Sequence, residues 1–254
     1  MTDSSIAFIG GGNMARSLIA GLVRQGTAAA DIHVAEPVDA LRDALAADFG
    51  VTTYATAGEA AAQASAWVLA VKPRVLREVC ARLQPGAAAQ GPLLVSIAAG
   101  ITSGQLDRWL GGGIAVVRAM PNTPALLGAG VTGLFATAEV SDGQRAQADR
   151  VLSSAGRTVW VNDETLMDSV TAVSGSGPAY VFLLAEAMEA AGIAQGLPAE
   201  AARTLVQQTL LGASRMLAEA GEAPAELRRR VTTPRGTTQG GVAAFQAGGV
   251  ETPV

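Results

Sequence analysis

The sequence predicts an α/β protein in two parts, a mostly parallel β-sheet with helices on its faces and then an all-helical domain. Over the first part, short apolar runs alternate with helical patterns, which is typical of parallel strands joined by crossover helices. After Asn162 the β-branched runs disappear and helix-forming residues dominate. We therefore expect a first domain over residues 1–161 and a second domain over residues 162–254.

Eight strands are predicted in the first domain, because eight apolar runs have the length of strands buried on both faces. Helices are expected over 13–24 and 38–48 and from Pro73 onward, where the missing N–H of proline suits a first helical turn. The expected strands cover residues 6–9, 32–35, 51–54, 67–71, 93–97, 114–117, 131–135 and 158–161.

The second domain is predicted to contain helices over 179–191, 199–220 and 226–231. Prolines stand where the first two would begin, and glycines stand where helices would end. Apolar residues occupy more than one helical face, as in the run 181–184. Such a small domain is expected to bury part of this surface against another copy of itself, giving a homodimer or a higher homo-oligomer.

Composition excludes several classes of partner. Hydrophobic residues make up 49% of the 254 residues, and the formal net charge is −4, so nucleic acid is not an expected partner. No apolar run approaches the roughly 18 residues of a membrane-spanning helix, so no membrane partner is expected. Cys80 is the only cysteine, and the N-terminal residues lack the features of a signal peptide. We therefore expect a cytoplasmic protein.

The chain carries few groups for acid–base chemistry. His33, Cys80 and Lys72 are each the only residue of their type. A Cys/His metal site therefore cannot form within one chain, and no metal is expected. His33 lies in the middle of a predicted strand, which favours a structural role over a catalytic one. This inventory favours a reaction in which a bound cofactor carries the difficult step.

Residues 10–15 read Gly-Gly-Gly-Asn-Met-Ala, directly after the first strand and at the start of a helix. This G-x-G-x-x-A pattern is typical of a Rossmann-type dinucleotide-binding domain. Gly10 would permit the tight turn, Gly12 would let the backbone approach a pyrophosphate, and Ala15 would let helix and strand pack closely. The alternative is a glycine-rich turn that binds nothing.

Glu36 stands at the end of the second strand, where dinucleotide-binding domains distinguish between cofactors. A carboxylate there accepts hydrogen bonds from the adenosine ribose and repels a 2′-phosphate. Glu36 therefore favours NADH over NADPH. Two alternatives stay open: Glu36 is simply an exposed carboxylate before Pro37, or Arg42 reaches a phosphate instead.

Several stretches together resemble pyrroline-5-carboxylate reductases, in order and spacing along essentially the whole chain. The resemblance implies a Rossmann-type domain followed by an all-helical dimerisation domain, with an active site at the interface of two subunits. It also implies NAD(P)H-dependent reduction of 1-pyrroline-5-carboxylate to L-proline. The stretches that carry it are 8–14, 70–73, 118–124, 174–180 and 233–238.

The resemblance also implies the residues on the cofactor side. Lys72 is expected to contribute backbone and charge, and Asn122 is either a cofactor contact, which we favour, or a residue that fixes its loop. The expected cofactor-binding residues are Ile9, Gly10, Gly11, Gly12, Asn13, Met14, Glu36, Ala70, Val71, Lys72, Pro73, Ala98, Ala99 and Asn122.

On the substrate side, the segment Gly236, Thr237 and Thr238 offers amides and hydroxyls at an expected helix N-terminus. By the same resemblance, Thr238 is the catalytic donor near the imine nitrogen, and Glu164, Ser176 and Gly177 border the substrate. A plain helix-capping role for the two threonines is the alternative.

Two other functions stay open: a dehydrogenase for another imine or a 3-hydroxyacid, and a non-catalytic dinucleotide-binding protein. The related 3-hydroxyacid dehydrogenases use a lysine from the helical domain, and this chain has none after Lys72. Three departures from the family stand out. Arg235 replaces a common glycine, Arg230 replaces a neutral or acidic residue, and the sequence ends at Val254 where the family usually adds a helix.

Overall fold

The computed structural model describes residues 5–251 and divides the chain into two compact units, the first ending at Pro178 and the second beginning at Ala179. The predicted boundary after residue 161 precedes this division. In the part of the chain described, no helix is long and apolar enough to cross a membrane.

The first unit contains an eight-stranded sheet with strand order β3-β2-β1-β4-β5-β6-β7-β8. All neighbouring strands are parallel except β6 and β7, which are antiparallel. All eight predicted strands are present, with ends shifted by a few residues at most. They are β1 Ile6–Ile9, β2 Ile32–Ala35, β3 Thr52–Tyr54, β4 Ala66–Leu69, β5 Leu93–Ser96, β6 Ala115–Met120, β7 Gly130–Ala136 and β8 Gly156–Trp160.

The helices of this unit connect the strands, and the predicted α/β fold class is confirmed. Four of them, α3, α5, α6 and α7, are not among the helices predicted from the sequence. The helices are α1 Asn13–Arg24, α2 Asp39–Phe49, α3 Ala57–Ala61, α4 Pro73–Gln90, α5 Ser103–Leu110, α6 Asp142–Ser153 and α7 Leu166–Val170. A π-helical turn, Thr171–Gly175, continues directly from α7.

The core forms two apolar layers, one on each face of the sheet. Alternate residues of β1 enter opposite layers: Ile6 and Phe8 lie in one, and Ala7 and Ile9 lie in the other. Each large side chain buried in this way contributes about 1.5–3 kcal/mol. Trp67 is fully buried, and its indole N–H donates to the carbonyl oxygens of Ala61, the last residue of α3, and of Ala64. These bonds fix the turn that leads from α3 into β4.

The second unit consists of helices, as the sequence predicts. They are α8 Gly177–Ala194, whose first two residues belong to the first unit, α9 Ala199–Glu219, α10 Pro224–Arg230 and α11 Thr237–Ala247. Large apolar side chains on these helices are exposed; Phe182 and Leu183, for example, are each 66% exposed. A helix that is apolar on several faces needs a further packing partner.

Candidate active site

The glycine-rich turn after β1 is shaped for close backbone contact. Gly10 has a φ of +107°, and a Cβ atom there would lie 2.8 Å from the carbonyl oxygen of Ala70. Only glycine fits such a position without strain. At Gly12, the N-cap residue of α1, a Cβ atom would meet no heavy atom within 4 Å. No side chain caps this helix, so its first amides and the positive end of its dipole are free for a phosphate.

Glu36 lies directly behind this turn and is nearly buried, with 8% of its surface exposed. One carboxylate oxygen accepts a hydrogen bond from the Gly11 amide, and the other accepts one from the Val38 amide, each at 3.1 Å. Glu36 is therefore not simply an exposed carboxylate, because it holds the glycine-rich turn against the end of β2.

Arg42 is also engaged within the protein. Its guanidinium donates to the backbone oxygen of Glu36 at 2.8 Å and to the carboxylate of Asp39 at 2.6 Å. A 2′-phosphate near Glu36 would therefore meet two carboxylates and an arginine already paired with one of them.

The structure brings most of the predicted cofactor-binding residues to one edge of the sheet. Four neighbouring strands end there, and turns at the carboxyl ends of parallel strands are the usual ligand sites of such sheets. Ile9, Gly10, Gly11, Gly12, Asn13 and Met14 end β1 and begin α1; Ala70, Val71, Lys72 and Pro73 link β4 to α4; Ala98 and Ala99 follow β5; Asn122 follows β6.

Asn122 has protein partners at both ends of its amide and is 9% exposed. Its side-chain oxygen accepts from the Val131 amide at 3.0 Å, and its side-chain nitrogen donates to the Ser174 carbonyl at 3.1 Å. Of the two roles considered from the sequence, these contacts favour the one in which Asn122 fixes its loop.

Glu164 lies between β8 and α7 and is anchored to two other elements. One carboxylate oxygen accepts from the Ser103 amide at 2.6 Å and from Arg118 at 2.8 Å, and the other accepts from the Ser103 hydroxyl at 2.6 Å. Burial alone would raise the pKa of Glu164, but the hydrogen bonds from Ser103 and the charge of Arg118 outweigh it and lower the pKa. Glu164 is thus an ionised anchor.

Neither Arg118 nor Ser103 has a role that is predicted from the sequence. Arg118 lies inside the apolar strand β6, and its side chain is 9% exposed. A charged residue within an apolar strand was the available signal, because a buried charge needs a partner. Nothing in the sequence shows that this partner is Glu164.

Ser176 and Gly177 follow the π-helical turn. The Ser176 amide donates to the Thr171 carbonyl at 2.8 Å, which closes this turn, and α8 begins at Gly177. Both predicted substrate residues therefore belong to a short junction between the sheet unit and a long helix.

Gly236 is the N-cap residue of α11, and Thr237 and Thr238 are its first two helical residues. Neither threonine occupies the capping position, and no side chain caps the helix. Both threonines are exposed, and neither hydroxyl has a hydrogen-bond partner among residues 5–251. The plain capping role is therefore not what the structure contains.

The two arginines that depart from the family pattern precede this segment in the sequence. Arg235 has a φ of +62° and is the single non-glycine residue with positive φ in the described chain, so it keeps the backbone shape that a glycine would give. Arg230 forms an ion pair with Glu222 at 2.5 Å.

His33 and Cys80 have structural positions. His33 Nδ1 lies 3.2 Å from the Tyr54 hydroxyl, and burial lowers the pKa of the imidazole. Cys80 is buried in the core, and burial raises the pKa of its thiol to about 11. No group of three or more His, Cys, Asp or Glu residues suited to a metal ion occurs within 5–251.

Together, the open Gly12 position, the uncapped N-terminus of α1 and the parallel strand order define a dinucleotide-binding fold. Comparisons with known proteins agree with this class. The family described as pyrroline-5-carboxylate reductase dimerisation matches residues 164–254, and the family described as NADP oxidoreductase coenzyme F420-dependent matches residues 5–100.

Individual relatives specify the family further. A pyrroline-5-carboxylate reductase from Pseudomonas aeruginosa is 49% identical over 99% of this chain and 92% of its own length. A structure of a pyrroline-5-carboxylate reductase from Coxiella burnetii is 38% identical in sequence and has a TM-score of 0.94. The match covers 98% of this chain and 93% of the chain in that structure.

A structure of the Plasmodium falciparum enzyme with NADP bound is 26% identical, with a TM-score of 0.85 over 99% of this chain and 92% of its own. The chain belongs to the pyrroline-5-carboxylate reductase family, and the resemblance identified from its sequence is confirmed.

Proposed function

We propose that this chain catalyses the NAD(P)H-dependent reduction of 1-pyrroline-5-carboxylate to L-proline. The observation that carries the proposal is the match, over nearly the whole chain, to relatives with this name, together with a turn shaped for a dinucleotide phosphate. When bound, the reduced nicotinamide supplies a hydride to the imine carbon. The product amine keeps the proton that the imine nitrogen carries.

The residues of this chain mainly bind and orient. A protonated cyclic imine is already electrophilic, so holding it in line accounts for much of the catalysis. The amides of Thr237 and Thr238 at the uncapped start of α11 are suited to the substrate carboxylate, because a helix N-terminus favours an anion. The free Thr238 hydroxyl is suited to hold the imine proton at nitrogen.

The substitution Thr238→Ala tests this site. We expect kcat/KM for the imine to fall by about 10²-fold, in the range typical of a lost proton-positioning group. The melting temperature should stay within about 2 °C of the unsubstituted protein, because the hydroxyl has no hydrogen-bond partner in the described part of the chain. Thr52→Ala, at an exposed position on β3, is the matched control and should leave both quantities unchanged. Unaltered turnover in the Thr238 variant would remove this residue from the site.

We further propose a preference for NADH over NADPH. Two carboxylates support this preference. Glu36 is held at the end of β2 by the Gly11 amide, and Asp39 lies nearby, where it pairs with Arg42. A 2′-phosphate would be repelled there, whereas ribose hydroxyls would find an acceptor.

Steady-state kcat/KM with each nucleotide tests the preference. We expect kcat/KM with NADH to exceed kcat/KM with NADPH by more than about tenfold in the unsubstituted protein. This ratio should fall by about tenfold in Glu36→Gln, which removes one negative charge. Glu59→Gln, at an exposed position in α3, should leave the ratio unchanged. A preference for NADPH in the unsubstituted protein would contradict the assignment.

We also propose a homodimer formed through the helical unit. Its match to a dimerisation family and its exposed apolar side chains support this assembly.

Turnover of the imine, but not of 3-hydroxyacids, would separate the proposed activity from the two other functions considered from the sequence.

A further inference from the structure

The segment 163–177 leads into α8 and is held in place by groups from β6, from β7 and from the loop after β6. Near its start, Glu164 is fixed by Arg118 of β6. In its middle, Val170 lies against Gly133 so closely that a Cβ atom on that glycine would be 2.3 Å from a Val170 methyl group. Near its end, the Ser174 carbonyl accepts from Asn122. The segment is thus fixed at three points along its length.

The contact at Ser174 lies within the π-helical turn. A π-turn interrupts the regular i to i−4 hydrogen bonding of a helix, and such turns are frequent at functional sites. Here the Ser176 amide closes the turn on the Thr171 carbonyl, and the Ser174 carbonyl finds its donor outside the helix, in Asn122. The conformation of the turn therefore depends on a side chain from the loop after β6.

Asn122 also closes the start of β7, since its side-chain oxygen accepts from the Val131 amide at 3.0 Å. The oxygen and the nitrogen of the nearly buried Asn122 side-chain amide thus contact two different elements. The oxygen stabilises the sheet, and the nitrogen fixes the π-turn. A substitution that changes only one end can separate these two effects.

We propose that Asn122 is a positioning residue, which fixes the π-helical turn and thereby the placement of Ser176 and Gly177 against the substrate. This inference rests on the proposed function, because that proposal places Ser176 and Gly177 at the imine. It assigns Asn122 to the substrate side of the reaction through contacts with protein atoms alone.

The variant Asn122→Asp isolates the contact with Ser174. Aspartate keeps an acceptor for the Val131 amide but places a carboxylate oxygen against the Ser174 carbonyl oxygen. We expect kcat for the imine to fall by about tenfold or more, because small misplacements in an active site have large effects on rate. The dissociation constant for NADH, measured by fluorescence titration, should stay within about twofold. Asn162→Asp adds the same charge at an exposed asparagine and is the matched control.

A readout that does not need turnover accompanies these kinetics. Amide hydrogen exchange of the peptide covering 171–177 should speed up in Asn122→Asp but not in Asn162→Asp. If the unsubstituted protein failed to reduce the imine, the proposed function would fail, while the exchange measurement would still test whether Asn122 fixes the turn.

Gly133→Ala provides an independent perturbation if Asn122→Asp folds poorly. Its new methyl group would push Val170 outward without altering a polar group, and we expect the same loss of kcat with unchanged NADH affinity. Three outcomes would overturn the proposal: unchanged kcat in Asn122→Asp, unchanged exchange over 171–177, or a tenfold loss of NADH affinity, which would make Asn122 a cofactor contact.

Discussion

Arg235 shows how one residue can adopt a backbone conformation that its side chain disfavours. Its φ of +62° lies in the left-handed region, which costs a non-glycine residue about 1–2 kcal/mol. Its amide donates to the Gln239 side chain at 2.7 Å, and Gly236 follows as the N-cap of α11. The turn before the proposed carboxylate site therefore keeps a glycine-like shape with an arginine in it.

We predict that Arg235→Gly stabilises the protein. The relieved strain exceeds the extra chain entropy of glycine, so the free energy of unfolding should rise by about 0.5–1 kcal/mol. Urea unfolding at one fixed protein concentration measures it. The control is Arg77→Gly, in the interior of α4 with ordinary helical geometry. Its free energy of unfolding should instead fall by about 1 kcal/mol. A loss of stability in Arg235→Gly would show that the arginine side chain compensates for the strain.

At the scale of single elements, Glu164 connects β6, the start of α5 and the segment before α7. Its side chain is 25% exposed and that of Arg118 is 9% exposed, so the ion pair is only partly screened by water. The pKa of Glu164 is lowered in the folded protein. Its contribution to stability is therefore fully present above the pKa that the carboxyl has in the unfolded chain, and it is lost as the pH falls through the lower pKa of the folded protein.

The variant Glu164→Gln tests this linkage. We expect it to lower the free energy of unfolding by about 1–3 kcal/mol at pH 7, because Arg118 loses a charged partner. The difference from the unsubstituted protein should shrink as the pH falls below about 4. Urea unfolding at several pH values measures this difference. The control is Glu78→Gln, which removes the carboxylate of an exposed ion pair with Arg82, and its free energy of unfolding should stay within about 0.5 kcal/mol of the unsubstituted protein. A difference that is constant between pH 3 and 7 would refute the ionised anchor.

The strands could be predicted from the sequence because burial on both faces requires continuous apolar runs, as in Ala66–Leu69. Helices α3, α5, α6 and α7 could not be predicted from apolar patterning because they are short or polar. The first three each begin with a capping box, Thr56 with Glu59, Thr102 with Gln105 and Ser141 with Gln144, which was the readable signal, whereas no side chain caps α7.

The candidate site was predictable only in part. The glycine-rich turn is local, so its role follows from adjacent residues and the strand before it. The contacts of Glu164 with Ser103 and of Asn122 with Ser174 join residues 61 and 52 positions apart. A single sequence carries no record of such pairs, because only the fold brings them together.

For the whole molecule, the helical unit exposes more apolar surface than a lone domain of its size usually tolerates. Its exposed residues include Phe182, Leu183, Leu205, Leu211 and Phe245. Exposed apolar side chains of this kind are typical of an interaction site, and the match to a dimerisation family supports the proposed assembly with another copy.

We predict that Leu183→Asp disrupts the homodimer, since a buried unpaired charge opposes association. Light scattering should show a monomer or a mixture dependent on concentration, and turnover should fall with the dimer fraction. Leu41→Asp, at an exposed leucine on α2 of the first unit, is the control and should remain dimeric. An active monomer would contradict a dimer-dependent site.

The far end of α1 has a consequence for protein engineering. A Cβ atom on Gly21 would lie 2.1 Å from the Ser154 carbonyl oxygen, so helix and loop meet backbone to backbone. The direction in which α1 aims its first amides is therefore set two turns away from them. Substitutions in the glycine-rich turn that aim to change the coenzyme preference would leave this alignment as it is. A side chain introduced at position 21 would change the direction of α1 without contacting the nucleotide.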